Sequence, residues 1–184
     1  MTYSIPNILT FMRILIIPLL IFVYYYLDDA IGMRLAAALF GLAAITDWLD
    51  GYLARKLNQT SKLGAFLDPI ADKLIVITVL VMIVDQFSKV EILIPALIII
   101  GREITISGLR EWMSELGYSG TMSVSIMGKI KTTIQMISLL LLLYHYPIFG
   151  LPTFEIGVWL LYLAAALTIW SMLVYFRRAI QAFG

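Results

Sequence analysis

DWLDGYLARKLNQTSKLGAFLDPIAD, residues 47–72, decides the reading of this chain, because it sets four aspartates between two long apolar runs. Asp47 and Asp50 lie three positions apart, Asp68 and Asp72 four apart. On helices, either spacing places both acids on one face, so two helices can present four carboxylates to one another. Carboxylates gathered in this way repel and take up protons unless a cation neutralises them, and acids near a bilayer are costly and usually functional. A divalent metal relieves the repulsion. The donors are all hard oxygens with no Cys or His nearby, which favours Mg²⁺, Mn²⁺ or Ca²⁺ over Zn²⁺. Gly51, Ala54 and Gly64 sit between the acids, where small residues let a helix or a ligand approach the backbone. Arg55 suits a phosphate. The plainer alternative is that the acids make salt bridges with Arg55, Lys56, Lys62 and Lys73 at a membrane surface.

Outward from this stretch the chain is strongly apolar. Of its 184 residues 61% are hydrophobic and 14% charged, and the mean hydropathy is +0.95, too high for an ordinary soluble domain. Windows of about 20 apolar residues, enough to cross a hydrocarbon core of roughly 30 Å, fall six times. They lie near 8–27, 32–54, 66–87, 91–112, 126–146 and 153–176. The expected fold is an all-α integral membrane protein, a bundle of six transmembrane helices forming one domain over residues 1–184, with a polar active-site cavity on the cytoplasmic side. The first apolar run has no small-residue cleavage site close behind it, so it reads as a retained helix.

Orientation follows from the basic residues. Arg55, Lys56, Lys62, Arg110, Lys129, Lys131, Arg177 and Arg178 fall on one side, and only Arg34 and Lys89 on the other. By the positive-inside rule both termini and the aspartates are cytoplasmic, in a cell (inner) membrane. The net charge is +1 and no Lys/Arg-rich tract occurs, so nucleic acid is not an expected partner. The chain has no cysteine, which removes disulfides and thiolate chemistry.

The acids and their neighbours fill the pattern Asp-x₂-Asp-Gly-x₂-Ala-Arg-x₈-Gly-x₃-Asp-x₃-Asp without a departure, through Asp47, Asp50, Gly51, Ala54, Arg55, Gly64, Asp68 and Asp72. In this the stretch resembles the CDP-alcohol phosphatidyltransferase family, integral membrane enzymes that join a CDP-linked lipid to an alcohol. The opening SIPNILTFMRI, with Asn7, Thr10 and Arg13, is similar to the N-terminal signature of the glycerophosphate-using branch of that family. Taken alone, it would also suit a short interfacial helix whose arginine snorkels. Arg102-Glu103, then ISGLRE (106–111) and GKIKTTIQ (128–135), extend the likeness over most of the chain.

The resemblance implies that Asp47, Asp50 and Asp68 hold one or two Mg²⁺ or Mn²⁺ ions bridging the diphosphate of CDP-diacylglycerol. Asp72 would sit by the second ion and take the proton from the alcohol. Gly51, Ala54 and Arg55 would line the CDP-lipid pocket, bordered by Asn7, Thr10, Arg13, Ser61 and Gly64. The family also implies a homodimer in the lipid bilayer. With no Cys, and no His near a serine, direct displacement is the expected chemistry.

Arg110, Lys129 and Lys131 could form a socket for a second, anionic substrate, although positive-inside topology alone would place cations there. They favour sn-glycerol 3-phosphate as acceptor over serine or phosphatidylglycerol, with inositol phosphate a further alternative. A divalent-cation or proton-coupled transporter would also use intramembrane acids, but it would carry them near the midplane and show an internal repeat, and neither is seen. Arg102 and Glu103 read equally as a mutually neutralising pair. Pro69 belongs in the first turn of the third helix or kinks it. Trp159, Tyr162, Trp170, Tyr175, Arg177 and Arg178 read as interface anchors, and His145, the sole histidine, as an exposed loop residue.

Overall fold

In a computed structural model of the chain, residues 5–57, 62–117 and 126–183 are described, without the side chains of 5–8, 29, 48–57, 62–63, 65, 126–127, 178–179 and 181–183. The apolar runs are helical because hydrocarbon offers backbone N–H and C=O groups no partner outside their own segment. Among the described residues there are six helices: α1 (Ile5–Tyr26), α2 (Asp29–Leu57), α3 (Lys62–Phe87), α4 (Val90–Glu115), α5 (Ile126–Tyr144) and α6 (Thr153–Phe183). Each matches an expected run, but α2, α3 and α6 extend further into their polar flanks. Pro69 therefore lies inside α3, beyond its first turn, and deprives the helix of one backbone bond.

Leu9–Tyr26, Ala30–Asp47, Val90–Glu115 and Thr153–Arg177 are long and apolar enough to cross a membrane. The chain is a membrane protein. The expectation of six such spans is met by four among the described residues, in α1, α2, α4 and α6. Helix α3 carries Asp68, Asp72, Lys73 and Asp85.

Neighbouring helices form a closed cycle, α1–α2–α5–α6–α4–α3, with α3 also touching α5 across it. Leu20, Phe40, Val79, Leu80, Ile83, Ile99, Leu139, Leu142, Leu143 and Leu161 fill the interior, while Leu15, Ile31, Leu97, Trp159 and Trp170 are exposed outside. Large apolar side chains on the outside are what lipid solvates. Between helices, where lipid supplies no hydrophobic driving force, close packing of small residues does the work, and Ala36, Ala37, Ala96, Ala164 and Ala165 are buried there. Buried Ser138 donates a hydrogen bond from α5 to the Gly157 carbonyl of α6 at 2.7 Å.

Two parallel pairs keep a fixed register. Helix α1 meets α3 through Thr10–Asp68, Arg13–Asp72 and Tyr25–Asp85. Helix α4 meets α6 through Lys89 over the Phe154 ring and Arg110 bonded to Tyr175.

The α1–α2 turn is tight, and a Cβ on Gly32 would stand 2.6 Å from the Val23 carbonyl oxygen. Backbone cannot swing aside as a side chain can. Gly32→Ala is therefore expected to cost about 1–3 kcal/mol, as overpacking does, and a thermal melt of the detergent-purified protein would show it as a lowered midpoint.

Candidate active site

Three helices converge at the end of the bundle where α1 and α3 begin and α2 finishes. Thr10 and Arg13 are one turn apart on α1 and so share a face; both are buried, each only 1% exposed. Arg13 does not snorkel. Its Nη1 lies 3.2 Å from Asp47 Oδ1 on α2 and donates a hydrogen bond to Asp72 Oδ1 on α3. Thr10 Oγ1 donates to Asp68 Oδ1, one turn before Asp72. A single guanidinium nitrogen thus draws together acids from two different helices. Asp47 and Asp72 remain nearly half exposed, at 48% and 43%, so the acids open outward while their cationic partner is sealed beneath them.

This arrangement brings Thr10, Arg13, Asp47, Asp68 and Asp72 into one site and leaves Gly64 buried beside it in the chain. The backbones of Asn7, Asp50, Gly51, Ala54 and Arg55 are helical, but their side chains lie outside the described residues, and Ser61 lies outside them altogether. Among the described residues no group of three or more acidic, His or Cys side chains forms a metal-holding cluster. Among those residues, too, the salt bridges to Asp47 and Asp72 come from Arg13 rather than from a surface lysine. Sequence reasoning missed that bridge. The available signal was a Thr/Arg pair on one face of an apolar helix, where a buried cation needs a counter-charge.

A second polar cluster joins α4 to α5. Glu103 Oε1 accepts from Arg102 Nη1 at 2.7 Å and from Lys131 Nζ at 3.0 Å. Lys131 is only 2% exposed, whereas Lys129 faces out. Arg110 turns to α6, where Nη2 donates to the Tyr175 hydroxyl at 2.8 Å and the guanidinium stands over the ring at 5.2 Å. Tyr175 is buried, which corrects its reading as an interface anchor. An aromatic hydroxyl suits a helix interface as well as a lipid one.

Among the described residues, the opposite end shows no acids gathered on a buried arginine. A cavity of about 270 Å³ there is lined by Lys89, Glu91, Ile92, Phe154, Glu155, Val158, Trp159 and Tyr162. Its exposed Trp159 and Tyr162 fit a membrane interface. His145 is not a free loop residue. It packs against Phe87 and Phe154 at ring-centroid distances of 5.0 and 5.2 Å, because the connection after α5 folds back over the bundle end.

Comparison with known proteins gives a consistent result. The family profile described as CDP-alcohol phosphatidyltransferase matches residues 3–170. A Haemophilus influenzae protein is 48% identical, covering 97% of this chain and 95% of its own. One from Salmonella choleraesuis is 45% identical, covering 97% and 96%, and one from Shigella flexneri serotype 5b is 44% identical over the same shares. All three are named CDP-diacylglycerol–glycerol-3-phosphate 3-phosphatidyltransferase.

Proposed function

The chain belongs to the CDP-alcohol phosphatidyltransferase family, and from that premise we propose that it transfers the phosphatidyl group of CDP-diacylglycerol to sn-glycerol 3-phosphate. The products are phosphatidylglycerophosphate and CMP. The observation that carries this reading is near-full-length identity of 44–48% to curated relatives bearing that name. The geometry supports it, since Asp47, Asp68 and Asp72 are held by Arg13 and Thr10 at one bundle end.

The reading extends to the whole chain as one six-span domain. Two features support it: α3 and α5 are members of the closed helix cycle and touch each other across it, and Val79, Leu80, Ile83, Leu139 and Leu143 on them are fully buried. The Lys/Arg asymmetry supports an inner-membrane location with both termini, and a polar cavity around the acids, on the cytoplasmic side. Family resemblance supports a homodimer.

A divalent ion fits the donor set. Asp47 and Asp72 share one positive centre, Arg13 Nη1, so oxygens of α2 and α3 already converge on a cation. Asp47, Asp50, Asp68 and Asp72 would hold Mg²⁺ or Mn²⁺, which supplies charge neutralisation on the diphosphate when bound. Asp72 accepts the proton of the acceptor hydroxyl as that oxygen attacks the lipid-side phosphorus. Arg13 orients the Asp72 carboxylate, and Thr10 orients Asp68. Asn7, Gly51, Ala54, Arg55, Ser61 and Gly64 serve the CDP-lipid pocket. Arg110, Lys129 and Lys131 supply positive charge for the acceptor phosphate.

Incubating the purified protein with CDP-diacylglycerol and each candidate alcohol tests the reading. Glycerol 3-phosphate should release CMP, whereas faster release with serine, inositol phosphate or phosphatidylglycerol would reassign the acceptor. Exhaustive chelation should stop the reaction and added Mg²⁺ or Mn²⁺ restore it; undiminished turnover after chelation would exclude the metal. The double variant Lys129→Ala/Lys131→Ala should raise the KM for glycerol phosphate by about tenfold or more, the loss of at least one charge-assisted contact, while the KM for the CDP-lipid changes little. Equal effects on both constants would argue against a phosphate socket.

A further inference from the structure

We infer that Glu103 is a positioning residue for the acceptor site, acting through Lys131. The inference rests on the reading of Lys131 as a ligand of the acceptor phosphate. Lys131 is buried almost completely, and its Nζ bonds Glu103 Oε1 at 3.0 Å. A buried ammonium without a counter-charge is costly and tends to shed its proton or leave the interior. Glu103 supplies that counter-charge from the neighbouring helix, and with it a fixed direction for a long side chain that otherwise has many rotamers.

The same oxygen accepts from Arg102 Nη1 at 2.7 Å. Two cations on one carboxylate leave the trio with one net positive charge. Such a cluster is held together without being neutralised, and its surplus charge is of the right sign for a phosphate. Arg102 adds a second grip on the carboxylate, so Glu103 cannot rotate away from Lys131 without losing two charge-assisted bonds. One α4 residue thereby sets both the protonation and the aim of a group on α5.

A contact serving only to hold α4 against α5 would lower stability and impair both substrates alike. A positioning role predicts a split. Glu103→Gln keeps the shape but removes the charge. It should raise the KM for glycerol phosphate about tenfold or more and leave the KM for CDP-diacylglycerol within about twofold, and Glu103→Asp should recover part of the loss. Lys131→Met should give a similar rise, and Glu103→Gln/Lys131→Met should be no worse than Lys131→Met alone, because residues acting as a unit are not additive.

An unchanged glycerol phosphate KM in Glu103→Gln, or effects that multiply in the double variant, would overturn the inference. If Lys131→Met itself leaves that constant unchanged, the acceptor-phosphate reading of Lys131 fails first and the inference falls with it. Should Glu103→Gln not accumulate in membranes, recovery of the double variant, which no longer leaves the Lys131 ammonium buried without its carboxylate, supports the pairing; failure of both variants overturns it.

Discussion

Asp72→Asn is expected to lower turnover by about 10²–10⁴-fold, the usual worth of a positioned general base, while metal-dependent binding of the CDP-lipid largely persists. The substitution keeps shape and hydrogen-bonding capacity but removes the site that takes the acceptor's proton. The structure adds a reason for the carboxylate to be well placed. Buried Arg13 donates to its Oδ1, and Asp68, one turn earlier on the same helix, is held by Thr10. Equilibrium binding of a radiolabelled CDP-lipid, with and without Mg²⁺, separates binding from chemistry. Full activity in the variant would remove Asp72 from its role; loss of binding together with turnover would make it a metal ligand first.

Arg13→Met carries the second large effect. It leaves Asp47 and Asp72 facing each other without the cation they share. Their partial exposure tempers the cost, because water screens what the arginine no longer neutralises. The loss of hydrogen bonds to charged groups is expected to lower stability by about 1.5–3 kcal/mol. Activity should fall at least tenfold, since α1 no longer sets the direction of the Asp72 carboxylate. Millimolar Mg²⁺ should recover part of the lost stability, because a divalent ion relieves the same repulsion. A melt of the variant that ignores Mg²⁺ would show that these acids do not share a metal.

Much of this was legible before any coordinates. Hydropathy located each of the six helices, since long apolar runs have little alternative to helix in lipid. It placed the ends less well. Arg55, Lys56 and Leu57 continue α2, Lys62 to Ala65 open α3, and α6 runs on to Phe183, because a helix does not stop where its side chains become polar. The aspartate spacing pointed to a convergent site, and Asp47, Asp68 and Asp72 do gather around α1. What no local period encodes is which helix supplies the counter-charge. Arg13 is 34 positions before Asp47 and 59 before Asp72, and that pairing is set by how α1, α2 and α3 pack. The same limit explains Tyr175 and His145. Aromatic residues near a polar flank suit a lipid headgroup or a bundle seam equally, and only the neighbouring helix decides.

The ties between α1 and α3 are separated by 58, 59 and 60 positions. One extra residue between Arg13 and Tyr25 would turn everything beyond it by about 100° and shift it by roughly 1.5 Å. Tyr25 could then face Asp85 only if Arg13 surrendered Asp72. Natural variants of differing length should therefore carry their insertions and deletions in the connections between helices, leaving the spacing between these two anchor points unchanged.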